Sequence, residues 1–189
     1  MIISQLEIIE QGQLYLNTVS KKNYTQIVQP NFISSAGTHM RHIIDHYLAI
    51  MSGIENNLIN YDLRVRGGQI ELSPELAIAK LNEIANWIQG MSEDELNQAI
   101  TLATEVSVTN KNVQKLQTSV ARELVFVGSH AVHHYAMIAQ ITFVQKNALQ
   151  ATELPQDFGL APATATFLRE CNEQPTDVKS KNKLLSVVN

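Results

Sequence analysis

The chain has 189 residues, 44% of them hydrophobic, enough for one domain with a sizeable core. A formal net charge of -4 without a basic stripe excludes a general nucleic-acid binder, and a single cysteine, Cys171, excludes a disulfide scaffold. The N-terminus lacks the basic and small-residue marks of a signal peptide, and no uncharged apolar run reaches membrane-spanning length. The expected setting is therefore the reducing cytoplasm, away from membranes.

In chain order, residues 3–19 place Leu6, Ile9, Leu14 and Leu16 at fair helical spacing, weakened slightly by Gly12. Residues 21–31 read as a loop ending near Pro30. Ser34 or Ser35 caps a second helix running to about Asn57, with Ile43, Ile44, Tyr47, Leu48, Met51 and Ile54 among its apolar positions. A polar connection turns at Gly67-Gly68. Ser73 caps the next helix, whose stripe is Leu76, Ile78, Leu81, Ile84, Ala85 and Ile88. A helical turn begins at Ser92, and the alternating "TLATEVSVT" reads as an extended segment or hairpin strand. The last helix is expected from Val113 to Leu149, apolar nearly all round at its centre and hence buried. Pro155, Pro162 and Pro175 mark an irregular tail over 151–189, packed on the rest or partly disordered. Four substantial helices predict an all-α four-helix bundle over residues 1–150.

All six histidines lie in two windows, "HMRHIIDH" (His39 to His46) and "GSHAVHH" (Gly128 to His134). At about 100° per residue, His130 and His134 share a helix face about 40° apart. His39, His42 and His46 fall within about 60° on the other helix. Facing helices of a bundle build ligand sites from such inward side chains. Several imidazoles buried without partners would be costly, and one cation relieves that cost for three of them. Three histidines would leave coordination positions open, as in catalytic centres. Zinc, nickel, iron and copper all accept imidazole. Ala131 stands where a zinc protease needs its glutamate, which excludes that chemistry.

Other residues carry less. Asp45 is either a carboxylate that orients a ligand imidazole or a surface or helix-pairing charge. Tyr47 and Tyr135 read as core aromatics, Arg64 and Arg66 as a solvated loop rather than an anion site, and Cys171 as an inert thiol. Nucleophile-elbow, P-loop and dinucleotide motifs are absent from the sequence.

"HMRHIIDHYLAI", followed about ninety residues later by "SHAVHHYAMI", resembles the DinB/YfiT-like superfamily over roughly residues 3–149. The resemblance implies an up-down-down-up four-helix bundle, a homodimer, and a divalent metal (nickel, zinc or iron) held by one histidine of the second helix and an HxxxH pair of the last. Matched by position, these are His42, His130 and His134, with His39 and His46 as rivals for the second-helix role and His133 as a neighbour. It further implies a thiol-dependent S-transferase acting on small electrophiles with a low-molecular-weight thiol, or a non-catalytic metal-binding stress or structural protein. A helical haem protein with two axial histidines is a third reading, which a Soret band would reveal.

Overall fold

The computed structural model describes residues 1–63, 67–146 and 152–173. By its internal contacts the chain divides into two units, Met1–Gly159 and Leu160–Asn189.

The first unit begins with α1 (Ile2–Thr18), then the short α2 (Lys21–Thr25). The loop expected at 21–31 thus starts as one helical turn. The Ser20 hydroxyl accepts from Asn23 N–H, and the Tyr24 hydroxyl donates to the Ile70 carbonyl at 2.8 Å. A turn this short shows no apolar period, which hid it from the sequence. Helix α3 (Ala36–Asn56) is capped by Ser35 accepting from Thr38 N–H at 3.1 Å, and it ends at Asn57 in the left-handed conformation. Strand β1 (Leu58–Asn60) follows, then α4 (Pro74–Gln89) behind its Ser73 cap. The short α5 (Glu93–Asn97) starts with a reciprocal capping box between Ser92 and Glu95.

The chain is mostly helical, but it is not all-α. Strand β2 (Ala99–Glu105) pairs in parallel with β1 and antiparallel with β3 (Val113–Ser119), with Leu102 opposite Leu116. The extended reading of "TLATEVSVT" holds for β2. Helix α6 occupies Val120–Lys146, so the helical start at Val113 is corrected. Val113, Leu116, Val120 and Leu124 continue a helical spacing backwards through β3. The side chains of β3 stay largely exposed, so the strand is held by its backbone ladder to β2 rather than by burial.

The four long helices pack as neighbouring pairs: α3 on α6, α6 on α1, α1 on α4 and α4 on α3. Ile9, Tyr15, Met40, Ile43, Tyr47, Leu81, Ile84 and Tyr135 are fully buried between them. Tyr47 and Tyr135 are therefore core aromatics, as their surroundings in sequence suggested. Two glycines let helices approach. A side chain at Gly12 would collide with the Tyr135 hydroxyl, and one at Gly128 would stand 2.8 Å from the buried amide of Gln5, which accepts from the Tyr47 hydroxyl. Among the described residues, no helix is long and apolar enough to cross a membrane.

Gly159 closes the first unit at φ +74°, and its N–H donates to Gln11 Oε1 at 3.2 Å. A Cβ there would meet the backbone of Tyr135 and Ala136, which cannot yield as a side-chain tip can. The neighbouring Phe158 ring stacks on Tyr15 and tilts against Tyr135. Gly159→Ala combines left-handed strain with a backbone collision, and an expected loss of about 2–4 kcal/mol follows. Urea unfolding, monitored by circular dichroism, measures it.

In the second unit, Pro162–Glu173 forms α7, where an irregular tail was expected. Pro162 occupies the first helical position, where its missing N–H costs nothing, so it starts a helix instead of preventing one. Pro175 and the rest of the tail lie outside the described residues.

Candidate metal centre

The imidazoles stand beside the core stripes of their helices. On α3 the buried positions Met40, Ile43 and Tyr47 are each one residue from His39, His42 and His46. On α6, Ala131 and Tyr135 do the same for His130 and His134. The rings thus line the edge of the α3–α6 seam. His39 and His42 lie against His134 and His130, while His46 lies against His130 and Phe126, so the two helices run antiparallel. His39, His42, His130 and His134 are half-buried, His46 is buried and His133 is exposed.

His130 Nε2 lies 3.0 Å from His42 Nε2 and 3.2 Å from His134 Nε2. Two nitrogens bound at about 2.0–2.1 Å to one tetrahedral ion stand roughly 3.3 Å apart, and somewhat closer around a six-coordinate ion. The spacing therefore fits a shared divalent cation. His46 joins the same place: His42, His46 and His130 each bring a ring nitrogen within 4.8 Å of the other two. His133, exposed beside the cluster, is the neighbour that its position on the helix predicted.

The supporting contacts set protons and ring angles. His134 Nδ1 lies 2.8 Å from His39 Nδ1, and His39 Nε2 lies 2.9 Å from Ser34 Oγ. Two proton assignments satisfy this chain. In one, His134 donates to His39 and His39 donates to Ser34, which leaves His134 Nε2 with its lone pair for a cation. Burial, followed by the neighbouring imidazoles His130 and His39, pushes the His134 pKa down to about 3, so the ring is neutral at pH 7 as a ligand must be. Burial also lowers that of His39, with His133 adding to it. His39→Ala is expected to weaken Zn(II) binding about 10- to 100-fold. His39→Asn, whose Oδ1 takes the place of Nδ1 as acceptor, recovers most of the loss. Isothermal titration of the untagged chain measures both.

Asp45 forms an ion pair within its own helix. It accepts from Arg41 Nη1 at 2.7 Å, and Arg41 Nε donates to Glu71 at 2.7 Å. Cys171 is an exposed free thiol, and Arg64 and Arg66 lie outside the described residues.

Two residues that sequence reasoning passed over build the inner wall. The Tyr61 ring stacks on His46 with centroids 4.9 Å apart, and its hydroxyl donates to Glu123 Oε2 at 2.7 Å. Glu123 is fully buried and also accepts from Thr118 and Arg122. Its signal was present: an acidic residue seven positions before His130, on the same face of an apolar helix. Tyr61 carried no signal, because only the return of the chain through β1 brings it to His46.

The fold, mainly helical with an imidazole cluster between two of its helices, is similar to that of a DinB-like protein. A solved DinB-like protein of Bacillus subtilis, YjoA, superposes with a TM-score of 0.56, covering 83% of this chain and 96% of that one at 15% identity. No family model matches the chain. In sequence it is similar to FK506-binding protein 5 of Rhizopus delemar, 28% identical over 113 residues, which is 60% of this chain. The match spans 28% of that relative's length.

Proposed function

We propose that this chain is a metal-dependent protein with the up-down-down-up four-helix bundle of the DinB kind, in which His42, His130 and His134 hold one divalent ion. We assign it thiol-dependent S-transfer onto small electrophiles. The observation that carries the reading is the pair of close Nε2 contacts made by His130, 3.0 Å to His42 and 3.2 Å to His134. The DinB-like fold of the solved neighbour supports it. A bound divalent ion (nickel, zinc or iron) would lower the pKa of a low-molecular-weight thiol and hold its sulfur as a nucleophile. The chain's own residues keep His134 neutral by burial, orient it through His39, and offer Phe126, stacked on His130 at 5.8 Å, as an apolar rim for an organic electrophile. A cytoplasmic homodimer belongs to the same proposal.

A second reading, a metal-binding stress or structural protein without turnover, is favoured by His46, whose ring nitrogen crowds the same cluster. Elemental analysis of untagged protein, followed by a screen of small thiols against haloalkyl and epoxide electrophiles, separates the two. Stoichiometric metal with turnover supports S-transfer. Metal without turnover supports the second reading, and absence of stoichiometric metal overturns both.

A further inference from the structure

We infer that His46 is a fourth imidazole ligand, so that two HxxxH pairs, His42 with His46 on α3 and His130 with His134 on α6, clasp one ion between antiparallel helices. The inference rests on the metal-binding reading above and deepens it, since the ligand set proposed there has three histidines.

Three observations carry it. The first is proximity: His42, His46 and His130 place ring nitrogens within 4.8 Å of one another, and the His46 ring centroid lies 4.4 Å from both other rings. The second is protonation. His46 Nδ1 lies 2.9 Å from the His42 carbonyl, an acceptor only, so Nδ1 carries the proton and Nε2 carries the lone pair. A ligating histidine commonly has its other nitrogen tied to a backbone carbonyl in this way. The third is rigidity. Tyr61 stacks on one face of the ring and is itself anchored to the buried Glu123, so the ring is held in place before any ion arrives.

Packing alone accounts for the stack and for the Nδ1 bond. It does not account for a further imidazole nitrogen beside those of His42 and His130, where a leucine would fill the space without a polar group. The pairs also match in spacing: each spans one helical turn, and the helices run antiparallel, so each presents two imidazoles to the seam at the same level. His46 is the most buried of the four and forms the inner side of the site, while the half-buried His42, His130 and His134 lie toward solvent. A fourth protein nitrogen fills a tetrahedral ion's sphere and leaves a six-coordinate ion two positions, which favours nickel or iron over zinc if a substrate is to bind.

Cu(II) alone is the probe, added at one equivalent to the untagged full chain, with coordinated imidazoles counted by electron spin-echo envelope modulation. Four are expected in the native chain and three in His46→Ala, with Zn(II) affinity falling on the order of 100-fold. His46→Gln, which keeps more of the side-chain volume, serves if the alanine variant does not fold, and the count in the native chain needs no variant. Three imidazoles in the native chain, unchanged in the variant, overturn the fourth ligand and leave the three-histidine reading intact. No stoichiometric binding overturns both.

Discussion

His130→Ala is expected to cause the largest loss of divalent-ion affinity of any single substitution in this chain. His130 Nε2 is the atom close to both His42 and His134, and the same residue belongs to the group with His46. Structural zinc sites bind with about 10–16 kcal/mol over four ligands, so one ligand is worth roughly 2.5–4 kcal/mol. At 1.4 kcal/mol per decade, affinity falls about 10²- to 10³-fold. His133→Ala, altering an exposed ring beside the cluster, should leave affinity near that of the native chain. Metal titration by calorimetry reads both. Thermal melting gives an independent view, because a bound ion raises the melting temperature of the native chain more than that of His130→Ala. A His130→Ala protein that binds one equivalent with native affinity would remove His130 from the centre.

Glu123→Ala is expected to cost about 2–4 kcal/mol of stability, because it leaves the Tyr61 and Thr118 hydroxyls without their acceptor and opens a cavity under the site. Arg122 is largely exposed and returns to water, so its ion pair adds little to the loss. The substitution also frees the Tyr61 ring that braces His46. Glu123→Gln keeps an acceptor oxygen and should lose less. Equilibrium denaturation of the metal-free chain isolates the packing loss. Comparison with the metal-loaded chain shows whether looser bracing also weakens the site. Native stability in Glu123→Ala would show that the buried carboxylate contributes no net stabilisation.

Much of the helical frame was legible in the residues. Ser35 and Ser73 cap where caps were expected, and Ile43, Ile44 and Tyr47 of α3 and Leu81, Ile84 and Ile88 of α4 are buried, whereas Leu76 is exposed. A helix of sixteen residues or more repeats its period often enough to be read locally. The short α2 offers no repeat, and β3 imitates one. Val113 and Leu116 stand at helical distance from Val120, so local pattern extends α6 through a segment that β2 instead captures by its open backbone edge. At the tail, proline was read as a breaker, although Pro162 at the head of α7 is compatible with a helix.

The candidate centre divides in the same way. Spacing alone determined that His130 and His134 share one face and that His39, His42 and His46 share another, because helical geometry relates residues three, four and seven apart without reference to the rest of the chain. Ala131 likewise excluded protease chemistry by its identity. Only the tertiary structure decided which rings meet across the seam, since the relative depth of α3 and α6 depends on packing around Gly12, Gly128 and the buried Gln5. It tied Asp45 to Arg41, put His39 behind His134, and drew His46 in beside His42 and His130. It also brought Tyr61 and Glu123, 62 positions apart, together against His46. Contacts of that span arise from chain return through β1 and the packing of whole elements, so no local period encodes them.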